Sequence, residues 1–299
     1  MHATIAYMPQ SFPIKEISKQ SFPKLLHEIP KPPNSLTFRG ELPSPDIKLL
    51  TVVGSRKYST YGKQVIEHLI SGLKGYHIGI VSGLALGVDS LAHEAALRHG
   101  LYTLAIPGSG IDDKVIYPAR HKALARKILE ANGGLLSEFK PTFKAAKWSF
   151  VQRNRIMAGI SHATLLIEAT EKSGTLITAR LASDYNRDVL VVPGNIFSQN
   201  CAGTHQFLKL GAIPIVNAQD ILHALGINPE NNEQKRIVFE EKTTSTDEQK
   251  ILTALKEAAD INTLIQTTGL PAEKVNVLIM QMEIEGTIVQ MGNKYRLVI

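Results

Sequence analysis

A single cysteine, Cys201, stands among 299 residues. The chain can therefore form neither an internal disulfide nor a thiolate cage for zinc, and it suits a reducing cytoplasm. No run approaches the ~20 uncharged apolar residues that a membrane helix needs. The first residues, MHATIAYMPQSFPIKEISK, lack the basic head and apolar stretch of an export signal. The histidines are scattered, with no H-x-x-x-H pair backed by a third ligand, so no metal site is expected. There is no G-x-x-x-x-G-K-[ST] string, and Gly54-Ser55-Arg56-Lys57-Tyr58 is not G-x-G-x-x-G. P-loop hydrolysis and ordinary dinucleotide binding are thereby disfavoured, and no cofactor is called for. Ser55 and Ser82 have no His/Asp partners at a spacing that makes a hydrolase. With 43% hydrophobic and 20% charged residues, the composition excludes disordered, collagenous and coiled-coil chains.

What is present is unevenly distributed. Residues 47–226 carry 20 Lys/Arg against 12 Asp/Glu, a net +8, whereas residues 227–299 carry 8 against 11, a net −3. A polyanion would be met by the central block. There, short apolar runs (LLTVVG at 49–54, HIGIVSG at 77–83, LYTLAIPG at 101–108, ATLLIEAT at 163–170, DVLVVPGN at 188–195) alternate with amphipathic stretches of ten or more residues. That alternation predicts βαβ units, hence an α/β fold with a Rossmann-like parallel sheet covered on both faces. Residues 1–46 hold eight prolines and read as an extended, partly ordered arm. Residues 227–245 turn polar and read as a linker. From 246 to 299, three short helical patterns and two strands about Gly292-Asn293 predict a small winged helix.

Glycine recurs where the apolar runs stop: Gly54-Ser55-Arg56, Ser82-Gly83, Gly108-Ser109-Gly110 and Ser173-Gly174-Thr175. In a parallel sheet these loops share one edge, where backbone N–H groups and helix N-termini favour an anion and serine and threonine hydroxyls can add donors. Tight-turn chemistry alone explains any one such loop, but less readily four on one edge. Arg56 is placed to set a guanidinium fork on a phosphate there. In Arg153-Asn154-Arg155 the arginines diverge by about 200° on a helix, so one is expected on phosphate and the other bracing the fold. The preceding loop interleaves Lys140, Lys144 and Lys147 with Phe139, Phe143, Trp148 and Phe150. Such a pattern fits backbone neutralisation and base stacking on a single strand, or equally rings that pin a loop to the core. Asp89 and His93, at i and i+4, read as a helix cap and an internally bonded imidazole.

The strings VVGSRKYSTYG, IVSGLALGVDSLAHEAAL, IPGSGIDDKVIYPARH, LLSEF, FVQRNRIMAGIS, IEATEKSGTLITARLA and VVPGNI, in this order, resemble the DNA-processing protein A (DprA/Smf) family of bacteria. The resemblance runs from about Phe22 to Leu225. It implies a non-enzymatic core that binds single-stranded DNA, forms a homodimer and loads a RecA-type recombinase during natural transformation. Its motifs place the DNA contacts at Arg56, Ser82, Gly83, Gly108, Ser109, Gly110, Arg153, Arg155, Ser173, Gly174 and Thr175. Val151 and Gln152 depart from the family's F-P-x-R-N-R pattern, and Lys144 or Lys147 is expected to substitute for the missing contact. The 46-residue arm is too short for the helical module that many members carry there. The family's C-terminal winged helix is also matched, but its third helix holds Glu273, Glu283 and Glu285 against Lys274, which points to protein contact or regulation, not DNA.

Two rivals use the same core. A nucleotide phosphoribohydrolase-like enzyme would need a carboxylate three positions after Thr175, where Thr178 stands. A nucleotide-binding sensor would fill the pocket with a mononucleotide.

Overall fold

The computed structural model describes residues 12–228, 246–255, 259–284, 287–292 and 294–297. The chain divides into two units, Met1–Lys235 and Arg236–Ile299. The expected linker lies almost wholly outside the described residues.

In the first unit the strands are β1 (Ile14–Ser18), β2 (Ser35–Gly40), β3 (Lys48–Val53), β4 (Ile78–Ser82), β5 (Tyr102–Ala105), β6 (Gly134–Ser137), β7 (Ala163–Leu166), β8 (Asp188–Val191) and β9 (Ile213–Pro214). The helices are α1 (Lys24–His27), α2 (Thr60–Ser71), α3 (Val88–Arg98), α4 (Lys122–Glu130), α5 (Lys147–Ile160), α6 (Thr175–Asp184), α7 (Ala202–Lys209) and α8 (Ala218–Ala224). One nine-stranded sheet runs β1-β2-β6-β5-β4-β3-β7-β8-β9. From β6 to β9 every neighbouring pair is parallel, as the apolar runs predict.

Strand side chains alternate between two apolar layers. Leu49 and Val53 of β3, with Val189 and Val191 of β8, face Ile156, Met157 and Ile160 of α5 and Leu176 and Ala179 of α6. Leu50, Val52 and Leu190 point the other way, onto Ile66 and Leu69 of α2, Val88 and Ala92 of α3, and Ile221 of α8. A strand buried on both faces reads as an unbroken apolar run.

Of the segment read as an arm, residues 1–11 lie outside the described residues, and the rest is built into the sheet and core. Its β1 pairs antiparallel with β2, Ile17 opposite Leu36, and β2 pairs antiparallel with β6, Phe38 opposite Leu136. Pro30, Pro32 and Pro33 fall in the connection between β1 and β2, where no ladder N–H is needed. Phe22, Leu26 and Ile29 are buried in the core.

In the second unit, helices α9 (Thr246–Ala254), α10 (Ile261–Thr268) and α11 (Ala272–Ile284) precede an antiparallel hairpin, β10 (Ile288–Met291) and β11 (Lys294–Leu297). Ile251, Leu264, Val275, Ile279, Met282, Ile288 and Tyr295 form its core. Asp260 caps α10 by accepting the Thr263 N–H at 2.9 Å, and Gly269 ends that helix with φ of 67°. These are the elements of the winged helix read from the sequence.

Candidate nucleic-acid interface

From β3 the chain steps to β4 and on toward β6, whereas from β7 it steps to β8 and β9, so the sheet reverses direction between β3 and β7. At such a point the loops leaving the C-terminal strand ends part and leave a crevice, the usual ligand position in open α/β sheets.

The loop leaving β3 is held at its base and open at its tip. Ser55 N–H donates to the Glu168 carbonyl at 2.7 Å. Ser59 caps α2 by accepting the Gly62 N–H at 3.1 Å, while the Glu168 carboxylate accepts Ser59 N–H at 2.9 Å and Ser59 Oγ at 2.5 Å. A tight turn closed by Ser55 Oγ and the Lys57 backbone (Oγ to carbonyl 2.8 Å, N–H to Oγ 3.0 Å) throws Arg56 outward. Arg56 is exposed, and its guanidinium carbon lies 5.8 Å from the Phe150 ring centroid, within cation–π range. Tyr117 approaches the same ring at 5.5 Å with a 51° tilt. Arg56, Gly83, Ala85, Leu86, Tyr117, Pro118 and Phe150 line one small cleft.

Helix α5 carries Phe150 and is anchored from below. Ser149 Oγ accepts the Ala146 N–H at 3.0 Å and lies 2.6 Å from the Gly108 carbonyl, to which it donates. Arg153, on the buried side, donates to the Ile106 carbonyl beneath the cleft. Its guanidinium occupies the space that a Cβ at position 83 would take, so any side chain there would push Arg153 off the Ile106 carbonyl. Burial lowers the Arg153 pKa to about 10, with the positive charge of Arg56 pulling the same way and Asp89 opposing. Asp89, fully buried, has its carboxyl pushed up by desolvation, against Arg153 and the amides it accepts. Those amides are Gly83 N–H at 3.1 Å and Ala85 N–H at 3.4 Å. Asp89 therefore fastens the loop before α3 instead of capping the helix. His93, by contrast, bonds internally as expected, with Nδ1 2.7 Å from Thr103 Oγ1.

The glycine loops are less open than their sequence suggests. Ser82 and Ser109 are fully buried, with hydroxyls donated to the Val52 carbonyl at 2.6 Å and the Gly110 carbonyl at 2.9 Å. Gly83 N–H serves Asp89, and Gly110 N–H serves the Phe143 carbonyl at 2.9 Å. Gly54 is packed against Val88, and Gly108 lies under the Phe150 ring. Thr175 Oγ1 donates to the Gly54 carbonyl at 3.0 Å, and Ser173 Oγ accepts from Thr175 N–H at 3.3 Å. Hydroxyl donors expected at an open anion edge are thus engaged inside the fold, because the loops pack on one another. Gly174 alone in that last loop is exposed, with open space at its Cα.

Of the basic candidates, Arg56, Lys144 and Lys147 are exposed and form no ion pair among the described residues. Asn154 is buried on α5. Arg155 points away from the cleft, to the Lys31 carbonyl and the Glu138 carboxylate. The two arginines do diverge, but both are engaged with protein groups. Phe139 and Phe143 stack at 4.6 Å, with Trp148 edge-on to each at 5.6 Å, so these rings pin the loop and Phe150 faces the cleft.

Tyr117 and Glu168 escaped the sequence reading of the site. The IYPARH string following the Gly108 loop was the available signal for Tyr117. Glu168, just past β7, accepts Ser59 N–H and Ser59 Oγ through its two oxygens and so braces the start of α2.

Comparison with known proteins agrees with this fold. The model of the DNA recombination-mediator protein A family matches residues 14–226, and that of the DprA winged helix domain matches residues 239–294. The DNA processing protein DprA of Streptococcus pneumoniae is 39% identical over 214 residues, 71% of this chain and 74% of that protein. Protein Smf of Escherichia coli is 32% identical over 276 residues, 88% and 71% of the two chains. The X-ray structure of the pneumococcal protein superposes with a TM-score of 0.66 at 36% identity, covering 72% of this chain and 75% of that one. DNA processing protein A from Helicobacter pylori, described in a unique single-stranded DNA binding mode, superposes at 0.63 and 31% identity, covering 73% and 98%. A parallel α/β core with a cleft at the C-terminal ends of its strands, a winged-helix unit after it in the chain, and both family models matched in that order make this chain a member of the DNA recombination-mediator protein A (DprA/Smf) family.

Proposed function

We propose that this chain binds single-stranded DNA along the C-terminal strand edge of its core and delivers the strand to a RecA-type recombinase. The observation that carries the reading is Arg56 held over Phe150 at the mouth of the cleft, with Lys144 just before α5 and Lys147 at its first position, both exposed and without an ion pair among the described residues. In this arrangement Arg56 and the two lysines neutralise phosphates, Phe150 and Tyr117 offer ring surface to a base, and Arg153 and Asp89 hold the floor. The H. pylori relative's single-stranded DNA binding and the net +8 of residues 47–226 support it. The reading assigns the cleft a binding role and no reaction. The winged-helix unit is read as a protein-contact module: Lys274, the only lysine of α11, is paired with Asp247, and Glu273 and Glu283 are exposed.

Fluorescence anisotropy of a labelled oligo-dT tests the reading. Wild type should bind tightly, prefer the single strand to a duplex competitor and lose ~0.7 log units of affinity per log unit of salt for each phosphate neutralised. Arg56→Ala and Phe150→Ala should each weaken binding about tenfold or more, given ~1–3 kcal/mol per stacked base. Salt-independent or duplex-preferring binding would refute the mechanism. Competition by a mononucleotide at micromolar concentration would favour the sensor instead. If the strand is handed on, wild type should also speed recombinase filament formation on strands coated with a single-strand-binding protein.

A further inference from the structure

Trp148 is the only tryptophan of the chain, and it stands at the second position of α5, 55% exposed. A tryptophan that only fills space is usually covered. Here the indole meets Phe139 and Phe143, each at 5.6 Å with planes inclined by 81° and 61°, and more than half of its surface stays open. The support beneath it is stiff. Phe139 is buried, its N–H donating to Ser137 Oγ at 3.1 Å and its carbonyl accepting Thr37 Oγ1 at 3.0 Å. Phe143 N–H donates to the Lys140 carbonyl at 2.9 Å, the Phe143 carbonyl accepts Gly110 N–H at 2.9 Å, and the Pro141 carbonyl accepts Asp112 N–H at 3.1 Å. A flat group laid on an indole held this way costs little further ordering of the protein. Val151, three residues on and 48% exposed, extends the apolar surface along the same flank of α5.

The surroundings of the ring select the charge of what can lie on it. Lys140, Lys144 and Lys147 are exposed and form no ion pair among the described residues. From Phe139 to Ile167 the sequence holds no Asp or Glu. An open aromatic surface among unpaired cations is complementary to a base carried on a phosphate backbone, and any base suits it because every base has a π-face.

We infer that Trp148 is a second stacking point for the bound strand, on the other flank of α5 from Phe150. The two side chains are two positions apart, so they leave the helix in directions roughly 200° apart. A strand that leaves the Phe150 ring passes Lys147, the first residue of α5, and lays a later nucleotide on the indole. The inference rests on the single-strand reading above. It adds a sequence-tolerant grip on a base outside the cleft, which phosphate contacts cannot supply.

All tryptophan emission of the full chain comes from Trp148, so the site reports on itself without any variant. The test follows that emission and, in parallel, anisotropy, for oligo-dT and for an oligomer of equal length and charge made of abasic residues. Oligo-dT should quench the emission with the midpoint of the anisotropy curve and shield the indole from acrylamide. The abasic oligomer, at saturation, should leave the emission as it is in the free protein. Trp148→Ala should weaken oligo-dT about tenfold, as the loss of one stacked base warrants, and bind the abasic oligomer as wild type does. Emission and acrylamide access unchanged by bound oligo-dT overturn the stacking point while the single-strand reading stands, and leave Trp148 and Val151 to a protein partner. Equal weakening of both oligomers by Trp148→Ala likewise overturns it, because the loss is then one of loop structure. Failure of wild type to bind oligo-dT overturns the single-strand reading itself.

Discussion

Arg153 and Asp89 are both buried beneath the Gly83 loop, where either charge alone would be expensive. Arg153→Met should therefore cost about 3–5 kcal/mol by stranding the carboxylate, and Arg153→Met with Asp89→Asn should recover much of it. Urea midpoints of the two variants check this; a double variant no more stable than the single would mean that the two charges are not coupled. Gly87, a few residues on, has φ of 85° and its missing Cβ would strike the Ser55 and Arg56 backbone, so the Arg56 loop is shaped by contact with this turn. His93 adds a pH dependence. Burial, with His121 and Arg153 nearby, lowers its pKa from the ordinary 6.5 to about 3. Between those values the unfolded chain binds a proton that the native imidazole refuses. The stability in question is thus complete above pH 6.5 and is lost as pH falls toward 3, up to about 5 kcal/mol across the window. His93→Gln should flatten the slope of urea midpoint against pH between 6.5 and 4.5, above the range where Glu67 and Asp113, both with lowered pKa, begin to contribute.

At the scale of elements, β2 does more than extend the sheet. Arg39 on it donates to the Phe12 carbonyl at 2.9 Å, to the Ile111 carbonyl at 3.3 Å and to both Asp113 oxygens at 2.6 and 3.1 Å. It ties the added hairpin to the loop that leads from Gly108 to Tyr117. Arg39→Met should cost about 1–2 kcal/mol, since Asp113 is largely exposed but two carbonyls lose a donor. Amide exchange at Ile111 to Val115 should quicken more than in α2, and uniform quickening would mean the contact is not local. None of this was legible in the sequence. Strands buried on both faces announce themselves as apolar runs, so β3 to β5, β7 and β8 could be read directly. By contrast, β1 and β2 are edge additions whose connecting prolines imitate an arm, and β9 is only Ile213-Pro214. At the site, Arg56 could be read from its position after a strand, whereas Lys147 and Phe150, read as loop residues, lie in the first turn of α5, which starts earlier than the sequence suggested. Tyr117 could not, because its contact with Phe150 spans 33 residues of chain. Nor could the burial of Ser82 and Ser109, since a Gly-Ser string reads alike whether it cradles a ligand or supports another loop.

For the whole molecule, one end of the sheet stands out. Ile196 and Phe197 follow β8, Leu210 ends α7, Ile213 opens the edge strand β9 and Val216 follows it; Phe197 is 89% exposed and Leu210 79%. Bare apolar side chains beside an open strand edge invite a second copy of the same edge, and two-fold pairing is the commonest closed solution. This edge is where we propose that the homodimer implied by the family resemblance forms, which would place two basic cores on one strand. Leu210→Asp with Val216→Glu should shift the protein from dimer to monomer in light scattering while the thermal midpoint stays nearly unchanged, because these side chains are mostly exposed in the single chain. Linking two sites raises their joint avidity only when one strand can reach both. The monomeric variant should therefore bind a short oligonucleotide as wild type does, and lose affinity for one long enough to span two cores. Weakening on both lengths would indicate damage to the cleft, and a variant that remained dimeric would move the interface to another face.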